Sequence, residues 1–448
     1  MSRFASLSEY NALLRGGLLI VAALFAWNVQ AQDRRDVREP SLPTQVCATL
    51  ASKGDADDTG RIQAAIDRCE PGAAVRLVAT ASDGRFVSRP LHMASGVTLW
   101  IDRGVVLAAT TDPLAYDRGQ GTCGTIATKG DGCAPFLSFS HTQGGGIVGD
   151  GTIDGQGGAV MAGHRETWWQ LARRAQNEGG HQNNPRLIEL EQARNVTFYR
   201  VTLRNAANFH VALNKVEGAT FWGVRIDTPA DARNTDGIDP GASQDVTIAH
   251  SFIRTGDDNI AIKAGKGATR FVSILNDHFY WGHGLSIGSE VNEGVSDILV
   301  RDVTLDGTTS GLRIKSDASR GGLVTRVRYD GVCLRGNRKP IDFDTRYDPG
   351  VGGQHIPVYR DILLHDVSGT DGALILRGYD GAHPLHVTLN GVHFASDATW
   401  NIDNAQLSAG PGGVSPIPAG YDLSPARGPS RNCDASWVPF PTDHTKAH

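Results

Sequence analysis

The stretch Val246-Thr-Ile-Ala-His-Ser-Phe-Ile-Arg-Thr-Gly-Asp-Asp-Asn-Ile-Ala-Ile262 alternates apolar and polar residues, breaks at a polar turn, and resumes as Ile260-Ala-Ile262. Short runs rich in β-branched residues and bounded by Gly, Asn and Asp are strands and turns, not helices. The pattern recurs on both sides, starting at Val196, Thr220, Val246, Val272 and Ile298, intervals of 24, 26, 26 and 26 residues. Each unit has a second short run: Val211-Ala-Leu213, Ile238, Ile260-Ala-Ile262, Leu285-Ser-Ile287 and Leu312-Arg-Ile314. A fixed period of this size with several strands per period predicts an all-β chain, a single-domain right-handed parallel β-helix. A sandwich of hairpins would instead carry tight Asn-Gly or Asp-Gly turns at strand-to-strand spacing. The 54 glycines among 448 residues are spread evenly, as coil corners require.

The two ends read differently. Arg3 and Arg15 precede the apolar run Gly17 to Trp27, followed by Val29-Gln-Ala31, which predicts a secretory signal over residues 1–31 with cleavage before Gln32. That run is short for a membrane span, so the exported chain is expected to be free of the membrane, secreted and monomeric. Residues 32–74 are expected to hold a capping helix, with Thr59 or Asp58 as its cap and Ile62, Ala65, Ile66 and Cys69 as its apolar stripe. The solenoid should span 75–395, and the Pro- and Gly-rich segment 396–448 should wrap the far end. Six cysteines in an exported chain favour disulfides; the local choice is Cys47 with Cys69, Cys123 with Cys133 and Cys333 with Cys433, among fifteen connectivities. No cysteine pair has zinc-ligand spacing, and neither a metal nor a cofactor is expected.

The chemistry lies where the units align. Asp236, Asp258 and His283 each fall two residues before the second run of three consecutive units, with Asp257 beside Asp258. Adjacent coils are about 4.8 Å apart, so three carboxyls would share a space in which they cannot all ionise cheaply. At least one should have a raised pKa, the usual preparation of a general acid. Arg313 and Lys315 follow one unit later on alternate strand positions, and both are expected to face the same cleft. Alone, each residue has a plainer reading: an Asp before Gly forms turns, a His between glycines bonds locally, and Arg-Ile-Lys is a solvated strand. Coincidence at matching phase is what raises them above that. Trp168-Trp169 could stack on a sugar or pack over the coil.

Four segments, Asn234-Thr-Asp-Gly237, Gly256-Asp-Asp258, Gly282-His-Gly284 and Arg313-Ile-Lys315, resemble the signature motifs of the polygalacturonases, the pectin hydrolases of glycoside hydrolase family 28. The resemblance covers about residues 45–395 and is strongest over 183–347. It implies that Asp257 is the general acid, that Asp236 with Asp258 activates the attacking water, and that His283 tunes the proton on Asp257. It further implies that Arg313 and Lys315 hold galacturonate carboxylates, with Asn234 and Tyr347 as further substrate contacts. Polygalacturonate is the implied partner, cleaved with inversion. Coil spacing alone would put the carboxyls nearer about 5 Å, the retaining separation, and side-chain direction must reconcile the two.

Charge agrees with that class. The chain carries −5 overall, and removing two Arg and one Glu with the leader leaves −6, which excludes nucleic acid as a natural partner. A polyanionic substrate needs a local basic strip, which Arg313, Lys315, Lys263, Lys266, Arg338, Lys339 and Arg346 could supply. Three other classes remain: a calcium-dependent pectate lyase, a pectin methylesterase, and a non-enzymatic binding solenoid. With no long insertion in the coils around 196–330, the groove should be open and the attack internal.

Overall fold

A computed structural model describes residues 32–54, 56–80, 84–130 and 132–442; the expected leader lies outside them. Each middle coil contributes three strands, such as Gln244–Ala249, Phe252–Arg254 and Ile260–Ile262. Each strand pairs in parallel with its counterpart one coil away. The chain is therefore a parallel β-helix. The third strands form an eleven-stranded sheet running from Leu91–His92 to Thr399–Asp403.

Register shows why the sequence settles this way. Val211, Ile238, Ile260, Leu285, Leu312 and Ile341 pair in succession and are fully buried, a continuous apolar column inside the coil. Phe198 and Phe221 stack in a second column with ring centroids 4.7 Å apart. Burial of each such side chain stabilises by about 1.5 to 3 kcal/mol, and a coil supplies several. The bend between the first two strands of a coil is a single left-handed residue at Arg200, Gly223, His250, Asn276 and Asp302. Glycine holds that corner in only one of these five coils, so the even spread of glycines is not mainly a corner effect.

Both ends depart from expectation. The parallel ladder already includes Val46–Ala51, paired with Ala74–Val78, and continues to Ala405–Ala409, beyond the limits read at 75 and 395. These outer strands carry too few strong apolar residues to stand out by pattern. The capping helix α1 spans Thr59–Arg68, with Ile62 and Ile66 buried against the first coils. Asp58 is its N-cap residue, as expected, but its side chain is taken up by Arg61 instead of a helix N–H, and the Thr59 N–H donates to Asp57 at 2.9 Å. A second helix, α2, spans Trp168–Asn177. Trp168 is buried and the Trp169 indole donates to the Ala206 carbonyl at 2.9 Å, so this pair packs over the coil. All three disulfides take the local pairing.

Two straps run along the outside. The N-terminal one bonds Asp33 to Ser273 and Thr247, Arg34 to Asp245, Arg35 to the Ala219 carbonyl and Glu39 to the Tyr199 hydroxyl. The C-terminal segment does not simply cover the far end. Tied by Cys333–Cys433, it returns along the wall until the Tyr280 hydroxyl meets the Val438 carbonyl at 2.9 Å and Phe440 packs against Arg254. Among the described residues no helix is long and apolar enough to cross a membrane.

Candidate active site

The acids sit on the turns between second and third strands, and their own motifs lock those turns together. The Gly256 N–H donates to the Thr235 hydroxyl at 2.9 Å, which ties the Asp236 turn to the Asp257 turn. The buried Asn259 side chain donates to the Trp281 carbonyl and accepts from the Gly284 N–H, each at 3.0 Å, which ties that turn to the next. Gly256 lies so close to the preceding coil that a Cβ would run into the Ala232 carbonyl. His210 fixes the Asp236 backbone: its ring Nδ1 lies 2.9 Å from the Asp236 carbonyl. Burial lowers the His210 pKa to about 4, which keeps the ring neutral. Thus Thr235 and Gly256 in the motifs, and Asn259 and His210 outside them, hold the frame.

Within that frame the expected phase holds, since Ile238, Ile260, Leu285 and Leu312 are register partners. His283 Nδ1 lies 2.9 Å from Asp257 Oδ1. Asp258 accepts from Lys315 Nζ at 2.7 Å and the Ser286 hydroxyl at 2.8 Å, with Arg313 at 3.5 Å. Arg313 and Lys315 lie on the expected face but do not point freely outward. They reach across the cleft onto Asp258, with side chains only 12% and 10% exposed. Tyr347, itself exposed, covers them, its ring centroid 5.2 Å from the Arg313 guanidinium and 5.4 Å from Lys315 Nζ. Asn234 stands at the edge, where its side-chain oxygen accepts from Gln182 at 2.9 Å.

Asp236, not Asp257, has its pKa raised. Burial and the charges of Asp239 and Asp257 push Asp236 well above the ordinary carboxylate range, against the pull of Lys263. Burial also pushes Asp257 up, but the hydrogen bond and charge of His283, the charge of Lys315 and the Asp258 N–H outweigh it and hold Asp257 below that range. Asp257 is the most open of the three, its side chain 18% exposed against 5% for Asp236 and 2% for Asp258.

Two further residues join the acids, Asp239 and Lys263, the latter expected only as part of a basic strip. Lys263 Nζ lies 2.9 Å from Asp239 and 3.6 Å from Asp236, over the Phe209 ring. Burial pushes Asp239 up to about 6 despite this lysine. The signal was present: Lys263 follows Ile260 by the three residues that separate Lys315 from Leu312. Asp239 lies on the strand Ile238–Gly241.

Asp257, Asp258 and His283 also bring three ligand atoms within 4.8 Å of one another. A cation there would meet the Lys315 ammonium and the Arg313 guanidinium, which already neutralise Asp258. The donor set therefore suits proton transfer better than a divalent ion.

Comparison with known proteins gives a consistent picture. The profile of Glycosyl hydrolases family 28 matches residues 88–411. The chain is 44% identical over 387 residues to an endo-polygalacturonase of Pectobacterium carotovorum subsp. carotovorum, covering 86% of this chain and 95% of that protein. It is 42% identical over 424 residues to a polygalacturonase of Ralstonia solanacearum, covering 80% of each. Among solved structures, a polygalacturonase from Erwinia carotovora ssp. carotovora superposes with a TM-score of 0.80 at 43% identity, covering 84% of this chain and all of that one.

Proposed function

This chain belongs to glycosyl hydrolases family 28, and from that premise we propose that it hydrolyses the α-1,4-galacturonosyl bonds of polygalacturonate at internal positions, with Asp257 as general acid. The observation that carries the assignment of roles is the row itself: Asp236, Asp258 and His283 in successive coils, with Asp257 bonded to the imidazole at 2.9 Å. Asp257 is the carboxyl a leaving-group oxygen can reach. In the free protein it is held ionised, but a bound galacturonate carboxylate would neutralise Lys315 and add negative charge beside it. Both effects raise the Asp257 pKa, so substrate binding itself arms the acid.

On the other side of the bond, Asp236 activates the attacking water. Its Oδ1 is buried with no hydrogen-bond partner among the described residues, so it has acceptor capacity to spare. Asp258, fixed by Lys315 and Ser286, stands next to it and helps to orient that water. Direct attack by that water inverts the anomeric centre. Arg313 and Lys315, with Tyr347 above them, bind the uronate carboxylate nearest the bond, and Asn234 contacts the chain at the edge.

A second reading exchanges the roles, because in the free protein Asp236 is raised and Asp257 is lowered. The pH profiles of kcat decide between the two: loss of the alkaline limb in Asp257→Asn supports the first reading, and its loss in Asp236→Asn the second. Endo action is tested on polygalacturonate solutions, whose viscosity should fall well before many reducing ends appear. Early release of monomer or dimer alone would contradict it. Product anomers followed by NMR report inversion directly. Disulfides and a basic apolar leader favour export, with the mature chain starting at Gln32, which intact mass of the secreted protein checks.

A further inference from the structure

The row that holds the acids continues past them. Register carries Ile238 back to Val211 and Val211 back to Ile188, so Arg186, two residues before Ile188, has the same phase as Asp236, Asp258 and His283. At about 4.8 Å per coil it stands roughly 10 Å along the axis from Asp236. Its guanidinium is positioned rather than loose: it pairs with Glu189 at 2.7 Å and lies 5.4 Å from the Phe209 ring centroid.

Around Arg186 a cavity of about 480 Å³ is lined also by Arg118, Lys266, Glu189, Asn184 and Asn208. Three cations face one carboxylate there. The cavity shares Arg186, Glu189 and Lys266 with a second one of about 390 Å³ that reaches Asp239 and Lys263, so it forms one end of a groove leading to the acids. In that second cavity Glu191, Asp239 and Glu290 join Glu189, and the positive excess is gone.

Arg118 comes from a loop built to stay rigid. Asp117 accepts five backbone N–H groups, from Gly119, Gln120, Gly121, Thr122 and Cys123, at 2.7 to 3.0 Å. Cys123–Cys133 closes the loop, and Arg118 Nε donates to the Cys133 carbonyl at 3.0 Å. A fixed guanidinium across a groove from two other cations is the arrangement expected for an anion that arrives in a set position.

We infer that Arg118, Arg186 and Lys266 form a remote carboxylate-binding station, which holds a galacturonate of the bound chain well away from the scissile bond and selects for a free, unesterified carboxylate there. This rests on the polygalacturonate reading above and adds a second charge anchor on the opposite side of the acids from Arg313 and Lys315. A polymer with one carboxylate per sugar can satisfy both anchors at once. A short oligomer bound at the acids cannot.

The test compares the wild type with the double variant Arg118→Gln/Lys266→Gln and with Arg118→Lys, on trigalacturonate, on polygalacturonate and on highly methyl-esterified pectin. The double variant should lose about tenfold in kcat/KM on polygalacturonate, mainly through KM, as loss of a charge-assisted contact predicts. The loss should be smaller on trigalacturonate and on esterified pectin, and Arg118→Lys should recover part of it. An unchanged ratio of long- to short-chain kcat/KM, or an equal loss on all three substrates, would overturn the station while leaving the hydrolase reading intact. Failure of the wild type to shorten polygalacturonate would instead overturn both.

Discussion

Asp258 and Asp236 occupy the same phase of adjacent coils, yet the chain treats them in opposite ways. Asp258 is saturated by Lys315, Ser286 and Arg313. Asp236 has Lys263 only at 3.6 Å, Asp239 beside it, and one oxygen without a partner among the described residues. The repeat decides where a side chain stands, but the next coils decide its charge. A solenoid can therefore place several carboxyls in one row and still give each a different task.

The largest expected effect comes from the residue between the two. Asp257→Asn keeps the shape and removes the transferable proton, so kcat should fall by about 10²- to 10⁴-fold with KM nearly unchanged. Steady-state kinetics on polygalacturonate measure it, and wild-type turnover would reject the acid assignment.

Stripping the cation from the saturated side comes next. Lys315→Met leaves Asp258 buried and without its closest cation, which should cost about 3 to 5 kcal/mol of stability, read from denaturant unfolding, and also weaken substrate binding.

The same change on the other side should act through pH more than stability, because Asp236 and Asp239 already lean toward the neutral form and a proton can replace the lost cation. Lys263 lowers both carboxyls, so Lys263→Met should raise them further. Since the water-activating base must be ionised, the acid limb of the kcat profile should move to higher pH. A shift to lower pH, or none, would show that Lys263 does not set the charge of Asp236.

The smallest effect is expected at Tyr347. Tyr347→Leu removes the ring over Arg313 and Lys315, a cation–π contact worth about 0.5 to 2 kcal/mol, and should raise KM several-fold without changing kcat much.

What was legible in the sequence was what repeats. The 26-residue interval carries the apolar column, and with it the β-helix and the shared phase of Asp236, Asp258 and His283. The pairing of Lys263 with Asp239 was not legible because neither belongs to a recognisable motif, and it joins residues of different coils whose register must first be known. The bonding of Arg313 and Lys315 to Asp258 was hidden for a related reason: strand alternation gives the face, not the partner. The straps were invisible because segments such as Asp33-Arg-Arg35 have no period and take their structure from the wall they cross.

That N-terminal strap has a consequence for the order of assembly. In a plain solenoid each coil touches only its neighbours, so synthesis can add coils one after another and any of them can open alone. Asp33 finds its partners on Thr247 and Ser273, the latter 240 residues downstream, so a segment made early is among the last to be fastened. Until residue 273 has emerged and folded, the strap has nowhere to dock. Once docked, it ties four successive coils together, from that of Tyr199 to that of Ser273, and loosening any of them loosens the strap. The chain should accordingly lose its coils in one cooperative step, and a chain ending before Ser273 should unfold in a broader transition at lower temperature.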